Sequence, residues 1–443
     1  MALSGIQIYK LLPQTNCKDC GFPTCLAFAM KLAAKQVELE LCPHVSEESA
    51  AQLSEASAPP VRPFVLKSNG HTVKAGNEVV LFRHEKTFYS RTGLFIRVYD
   101  SQSAQDIRAK VEPADVYQVD YVGIDLSLDG FAVQADGGDF AAAVAAVRAA
   151  SHRPLILIAD PEQLKAGLAK LEPGEKVLLA HATAENWEAM AALAKEADAA
   201  LAIQAESIDA MVALAQKLQD AGVKDLVLSP VQRSFKGTLL ANSTARRLAL
   251  KKNFRPLGFP ILNFPGDVAD PALETTLAAQ AIGKYASFVV LDHFSPETAY
   301  SLLVLRENIF TDPQKPIQVQ PGIYEINDPG PDAPVLVTTN FSITYFSVAN
   351  EVESAGLPAW LLVTESEGMS VLTAWAAGKF DAERIAKDVK RFNVSDKVGK
   401  KCVVLPGHVA VLSGELEAEL PDWEVRVGPR EAVDLPAFMK SAL

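Results

Sequence analysis

"PLILIADPEQLKAGLAKLEPGEKVLLAHAT", residues 154–183, sets two short apolar runs on either side of a stretch whose leucines recur at three and four. A short apolar run bounded by turn residues reads as a buried strand, and the 3.6-residue period between the runs reads as an amphipathic helix. The segment therefore predicts strand, helix, strand, which is the unit of a parallel sheet.

The same alternation extends in both directions. Strands are expected at "DYVGIDLS", "PLILIAD", "KVLLAHAT", "ALAIQAES", "DLVLSP", "FPILNFP", "SFVVLDHF" and "PIQVQPGIYEI", beginning near residues 120, 154, 176, 200, 225, 259, 287 and 316. Helical stretches such as "ENWEAMAALAKEA" and "SIDAMVALAQKLQDAG" lie between them. Eight strands close a barrel, so a TIM (β/α)8 barrel is predicted over residues 116–326. Residues 58–115 are expected to form a linker and a β-hairpin, the hairpin lying within "NEVVLFRHEKTFYSRTGLFIRVYD" (77–100). Polar residues end several of the strands: Asp125, Asp160, His181, Glu206, Asn263, Asp292 and His293. Barrel enzymes place catalysis at this rim, but the same residue types cap helices, and with no phosphate loop or metal triad the capping role is expected.

After the turn-rich "NDPGPDA" (327–333) a second alternation begins. Four strands, in "VLVTTN", "AWLLVTES", "KCVVLPGH" and "WEVRVG", fit a small Rossmann-like sheet over residues 327–443. Ligands bind such sheets beyond the carboxyl ends of the strands, which directs attention to "TNFS", "TESEGMSVLT", "PGHVA" and "GPREAV". In the second of these, Gly368 allows close backbone approach, and Ser370 and Thr373 stand at a helix start. That suits a phosphate or the amide-rimmed macrocycle of a corrinoid, and it equally suits an ordinary capped helix.

At the other end, "CKDCGFPTC" (17–25) and Cys42 hold four of the five cysteines in the pattern C-x2-C-x4-C-x16-C, with Pro43 following. Cys17 and Cys20 fit a tight turn before Gly21. Cys25 opens the apolar helical stretch "CLAFAMKLAAKQVELEL", and Cys42 returns only if that helix breaks and folds back. Tetrahedral zinc also takes four thiolates, but its usual patterns pair two short knuckles. A lone fourth cysteine before proline favours an iron–sulfur cluster over zinc or a redox dithiol. About 57 residues precede the linker "SEASAPPVRPF", too few for a strong core without a metal staple.

Composition bounds the remaining options. The 443 residues, 49% of them hydrophobic with mean hydropathy +0.10, exceed one core and predict a multidomain α/β protein. A formal charge of −12 without a long basic run disfavours nucleic acid. The first residues lack the pattern of a secretory signal and no apolar run approaches a membrane span, so a soluble, cytoplasmic protein is expected, with no membrane partner.

Taken in order, an N-terminal C-x2-C-G-x3-C…C-P segment, a barrel and a terminal Rossmann-like domain resemble the large (gamma) subunits of corrinoid iron–sulfur proteins of the acetyl-CoA (Wood–Ljungdahl) pathway. The resemblance covers essentially the whole chain. It is sharpest at Cys17, Cys20, Gly21, Cys25, "TCLAFAMKLA" and Cys42–Pro43, then at "TNFSITYFSVANEVE" and "ESEGMSVLTAWAAGKF". It implies a methyl carrier: a cobamide in its Co(I) state accepts a methyl group from methyltetrahydrofolate on a separate methyltransferase and donates it from methyl-Co(III) to acetyl-CoA synthase.

The resemblance further implies a [4Fe–4S] cluster on Cys17, Cys20, Cys25 and Cys42 that restores Co(I). It implies cobamide contacts at Asn340, Phe346, Gly368, Met369, Ser370, Val371, Leu372, Thr373, Pro406, Gly407, Gly428, Pro429, Arg430, Ala432 and Val433, with the helix start near Thr373 facing the cobalt or the corrin edge. Implied partners are a small barrel-shaped subunit in a heterodimer, the methyltransferase, the synthase, and a ferredoxin or reductive activator. The Asp-x-His-x-x-Gly cobalt-binding loop of many other cobamide proteins is absent, and His408 is expected to be loop structure rather than a cobalt ligand. Competing functions are a cluster-containing electron-transfer subunit and a pterin-dependent barrel methyltransferase.

Overall fold

The structure, a computed structural model, describes residues 5–33, 37–46, 48–50, 53, 59–121, 123–311 and 317–442. Residues 34–36 of the long N-terminal helical stretch, 54–58 of the linker and Pro316 of the eighth expected strand lie outside the described residues. Two compact units are present: residues 1–81, 89–116 and 128–302 in the first, and 82–88, 117–127 and 303–443 in the second.

In the first unit, helices Gly5–Leu11 and Cys25–Ala33 pack around Ile8, Leu12, Cys25, Phe28 and Leu53. The break expected before Cys42 is present, because Leu39–Leu41 is a single 3-10 turn whose Leu39 carbonyl accepts from the Cys42 amide. Strands β1 (Phe64–Ser68) and β2 (His71–Ala75) then form an antiparallel hairpin. β3 (Gly93–Tyr99) follows in the first unit, while β4 (Gln118–Tyr121) and β5 (Ile124–Ser127) pair with each other in the second.

The remaining strands of the first unit are β6 (Gly130–Gln134), β7 (Leu155–Ile158), β8 (Leu178–Ala182), β9 (Ala200–Ala205), β10 (Leu226–Pro230), β11 (Leu262–Asn263) and β12 (Phe288–Leu291). Together with β3 they make an eight-stranded parallel sheet in the order β10-β9-β8-β7-β6-β3-β12-β11. A parallel bridge from Leu228 to Ile261 joins the two ends of that order, so the sheet curls into a barrel. Its interior is packed: Phe95, Ile156, Leu178, Ala202, Val227, Leu262 and Phe288 share one core with Phe64, Leu66 and Val73 of the hairpin. Val73 approaches Gly93, and Lys67 bridges to Lys176 ahead of β8, so the hairpin plugs the amino-terminal end. A Cβ on Gly130 would lie 2.2 Å from the Pro154 carbonyl oxygen and 2.5 Å from the Phe95 ring, which leaves glycine the residue that fits there.

Six of the eight expected barrel strands are in place, and two are corrected. "DYVGIDLS" is the β4–β5 hairpin of the second unit, and "PIQVQPGIYEI" supplies a strand of that unit's sheet. The barrel uses Gly93–Tyr99 and Gly130–Gln134 instead, so its strands run from residue 93 to 291 rather than within 116–326. Likewise the hairpin expected at 77–100 lies at 64–75. The reason is burial on both faces. Six of the seven residues of β3 are buried, as in a strand covered on both sides, whereas Gln118–Tyr121 alternates exposed and half-buried.

The second unit contains β13 (Gly322–Ile326), β14 (Val335–Thr339), β15 (Ala359–Thr364), β16 (Cys402–Leu405) and β17 (Glu424–Val427), in the order β13-β15-β14-β16-β17. The four expected strands are parallel, and β13 adds an antiparallel edge. Both faces are covered. Val335, Val337, Leu362 and Val403 pack with Ile385 and Val389 of helix Ala382–Arg391. Leu336, Leu361, Val363 and Val404 pack with Val352 of helix Ser342–Ser354 and Met439 of helix Leu435–Ala442. The two-residue period of each strand thus feeds two separate cores.

Candidate metal centre and ligand cleft

Four left-handed residues, Gln14, Asn16, Lys18 and Gly21, wind the cysteine loop tightly. Gly21 closes a turn by donating to the Lys18 carbonyl at 2.8 Å, and at φ 81° this position favours glycine. Asn16 ties the loop to the helix: its Oδ1 accepts from the Cys25 amide at 2.8 Å, and its own amide donates to Cys25 Sγ at 3.4 Å. Thr24 Oγ1 caps the same helix through the Ala27 amide at 3.0 Å.

Cys20, Cys25 and Cys42 belong to one small core, Cys25 buried within it and the other two packed against it. Cys17 is exposed, and its sulfur lies with Asp19 and His44 in a group whose ligand atoms are all within 4.8 Å of one another. His44 Nε2 is 2.6 Å from Asp19 Oδ2, so the segment after Cys42 is tied to the turn between Cys17 and Cys20. The His44 hydrogen bond, then one from the Cys17 thiol, hold the Asp19 carboxyl below its ordinary value. Cys402 is remote in sequence, buried in β16, and its thiol is pushed up by burial and then by Glu424.

In the second unit, a cleft of about 560 Å³ opens at the carboxyl ends of β14 and β16. The strand order reverses there, since β15 lies on one side of β14 and β16 on the other, and this is where open α/β sheets bind ligands. Of the expected contacts, Ser370, Val371, Leu372, Pro406, Gly428, Pro429, Arg430, Ala432 and Val433 line it. Asn340, Phe346, Gly368, Met369, Thr373 and Gly407 are not among the lining residues.

Each of these six has a definite place. Asn340, almost fully buried, organises the loop: its Oδ1 accepts from the Ser366 amide at 3.0 Å, the Ser366 hydroxyl at 2.8 Å and the Gly368 amide at 3.0 Å. Gly368 has φ 70°, with Gln318 Cγ 2.8 Å from where its Cβ would be. Met369 packs on the core beside Val371, and Phe346 on the opposite core, where its ring meets Tyr345. Thr373 Oγ1 lies 3.0 Å from Ser370 Oγ. A Cβ on Gly407 would be 2.6 Å from the Gly428 carbonyl oxygen, so the 406–408 and 428–430 loops touch there.

Sequence reasoning missed one wall of the cleft, the face of helix Ser342–Ser354 that presents Ile343, Thr344, Ser347 and Val348. The signal was an exposed isoleucine beside small polar residues at helical spacing. His408 also lines the cleft, with Nε2 3.8 Å from Glu431 Oε1. Ile343, Leu372 and Val433 are exposed apolar side chains around the opening, and on its wall the buried Thr338 hydroxyl lacks a hydrogen-bond partner among the described residues. This pairing of an apolar rim with an unsatisfied polar atom is of the kind that binds small molecules.

The barrel's carboxyl end carries a polar constellation that sequence reasoning only partly anticipated. Asp160 caps its helix as expected, through the Glu162 and Gln163 amides, but Ser207 rather than Glu206 caps helix Ile208–Asp220, and Asp125 lies in the β4–β5 hairpin. His181, Asn263, Asp292 and His293 are not helix caps. Arg97, unmarked in the sequence, donates to Asp292 at 2.6 Å, Asp267 at 2.7 Å, Gln134 at 2.9 Å and the Gly266 carbonyl at 2.9 Å. Burial alone would lower its guanidinium, but Asp292 and then Asp267 raise it above the ordinary value.

Arg233 pairs with Asp267, and His293 with the buried Glu274. His181 is the extra residue of a bulge, since Ala180 pairs with Ala202 and Ala182 with Ile203. Its ring packs on Phe264, which also faces Arg97, and its Nε2 lies 3.2 Å from Ser229 Oγ. Burial, then the charge of Arg233, push its pKa down to about 4.

Comparison with known proteins adds a family. The model described as "CO dehydrogenase/acetyl-CoA synthase delta subunit" matches residues 64–439, and one described as "Putative Fe-S cluster" matches 12–44. The chain is 43% identical over 447 residues to the corrinoid/iron-sulfur protein large subunit of Moorella thermoacetica, covering 100% of each. It is 34% identical to the acetyl-CoA decarbonylase/synthase complex subunit gamma of Methanopyrus kandleri, covering 99% of this chain and 97% of that one. It is also 34% identical to the subunit of the same name in Archaeoglobus fulgidus, covering 99% and 98%.

Proposed function

Since the chain belongs to the CO dehydrogenase/acetyl-CoA synthase delta subunit family, whose span takes in the barrel and the second unit, we propose that it is the large subunit of a corrinoid iron–sulfur protein and carries methyl groups between enzymes. The supporting observation is the pairing of a four-cysteine N-terminal segment with an apolar-rimmed cleft at the strand-order reversal of the second unit.

In this reading Cys17, Cys20, Cys25 and Cys42 hold a [4Fe–4S] cluster, and the second unit is a Rossmann-like domain whose cleft holds a cobamide. A bound cobamide supplies a strongly nucleophilic cobalt that takes up and releases methyl groups, and a [4Fe–4S] cluster supplies single low-potential electrons. The protein's part is positioning. Ile343, Leu372 and Val433 would offer the group an apolar surface, and Ser370, paired with Thr373 at the helix start, would offer it a hydroxyl. Asn340 fixes the 365–370 loop through the Ser366 and Gly368 amides. His408 and Glu431 link the loops that follow β16 and β17, and His408 is read as loop structure.

Methyltetrahydrofolate methyltransferase and acetyl-CoA synthase would be the donor and acceptor partners, a small barrel-type subunit the other half of a heterodimer, and a ferredoxin or reductive activator the electron source, all in the cytoplasm. No helix among the described residues is long and apolar enough to cross a membrane. A barrel methyltransferase is disfavoured because the buried, fully engaged Arg97 and the Phe264–His181 ring pair occupy the barrel mouth.

Metal analysis of the anaerobically purified protein, produced with cobamide and its partner subunit, tests the reading. About one cobalt and four irons per chain are expected for one cobamide and one [4Fe–4S] cluster. Gly407→Ala, which forces the two loops apart, should lower cobalt and leave iron unchanged. Iron without cobalt in the unaltered protein would leave an electron-transfer subunit in its place.

A further inference from the structure

The Asp19–His44 pair beside Cys17 is not explained by ligand count. Four cysteines already satisfy a cluster, yet a carboxylate lies within 4.8 Å of the Cys17 sulfur, with His44 Nε2 2.6 Å from its Oδ2. We propose that Asp19 is a positioning residue for the cluster's electrostatics: a fixed negative charge that lowers the reduction potential, held against Cys17 by His44. The proposal rests on reading the four cysteines as cluster ligands.

The physical basis is the environment that loading would create. Asp19 is paired with His44 and lies beside the Cys17 sulfur. A cysteine that holds metal is a thiolate, so the carboxylate would face a sulfur of like sign. His44 is then the donor that keeps Asp19 in place. Reduction adds an electron to a centre already negative from its thiolates, and a neighbouring carboxylate opposes that addition by Coulomb repulsion. The reduced cluster becomes a stronger reductant. Both side chains are about half exposed, so solvent screens the effect without removing it.

The same pair has a mechanical consequence. Asp19 lies between Cys17 and Cys20, and His44 two residues after Cys42, so their contact fastens the fourth-cysteine segment to the first-cysteine turn. Residues around a metal's ligands set both orientation and potential, and here one contact does both.

Redox titration of the loaded full-length protein, followed by the electron paramagnetic resonance of the reduced cluster, separates the two effects. Asp19→Asn keeps an acceptor for His44 but removes the charge. Its midpoint is expected to rise by about 59 mV, which is a tenfold change in the reduction equilibrium of a one-electron couple. Asp19→Glu, which restores the charge, should return toward the unaltered value. His44→Ala, which frees the carboxylate, should hasten iron loss to a chelator.

A loaded Asp19→Asn protein with an unshifted midpoint overturns the proposal while the cluster reading stands. An Asp19→Asn protein that cannot hold the cluster while Asp19→Glu also fails overturns it in favour of a purely structural contact. Unaltered protein without iron overturns both this proposal and the cluster itself.

Discussion

Arg97 Nε lies 2.6 Å from Asp292 Oδ1 at the carboxyl end of the barrel, the position where barrel enzymes keep their chemistry. The guanidinium is only 3% exposed and has four acceptors, so a largely buried ionic network spans the barrel's carboxyl end. Arg97→Met should lower the stability of the barrel by about 3 kcal/mol, because Asp292 loses its cation and Asp267 keeps only Arg233. Thermal unfolding of the single variant, compared with one that also carries Asp267→Asn and Asp292→Asn, is the check. Recovery of most of the loss in the triple variant is expected, with cobalt and iron contents unchanged throughout.

His181 makes the barrel acid-sensitive. Its pKa is lowered from 6.5 to about 4, so between these values the unfolded chain binds a proton that the folded protein refuses. The associated stability is complete above 6.5 and is lost as pH falls toward 4, amounting to about 3 kcal/mol at 1.36 kcal/mol per pKa unit. His181→Gln should flatten that slope in denaturation midpoints measured between pH 7 and 4. A titration of the His181 imidazole by NMR should centre near the lower value.

Asn340 is expected to act on the cleft indirectly. Asn340→Leu removes the acceptor of the Ser366 and Gly368 amides, and leaving such buried donors unpaired costs about 1–3 kcal/mol each. Hydrogen exchange at residues 366–368 should quicken markedly. Cobamide retention should fall because the loop is no longer held, while exchange in β16, on the far side of β14, stays as it was.

How much of this was legible in the sequence depended on how local each feature is. The six barrel strands from Leu155–Ile158 to Phe288–Leu291 carry their period, turns and caps within a few residues, and they lie where expected. Gly93–Tyr99 and Gly130–Gln134 were missed because a strand joins a barrel by what packs on its two faces. Phe95, which sits over Gly93 and Gly130, is a contact between residues far apart in sequence. "DYVGIDLS" illustrates the converse, since its apolar residues pair in an antiparallel hairpin that no pattern distinguishes from a parallel strand.

The sites divide along the same line. Cysteine spacing named Cys17, Cys20, Cys25 and Cys42 as a metal-binding set, because ligands on one loop and one return segment leave their geometry in the spacing. Loop position likewise located most of the cleft, since a parallel sheet binds at its carboxyl ends whatever its side chains. By itself the sequence determined the order of strand and helix segments, the cysteine pattern and the loops that face the cleft. Only the tertiary structure decided which strands close the barrel, that Arg97 meets four acceptors at its carboxyl end, that Asn340 braces a loop behind the cleft's lining, and that Asp19 meets His44. Each of those rests on partners brought together by burial, and burial is a property of the folded chain as a whole.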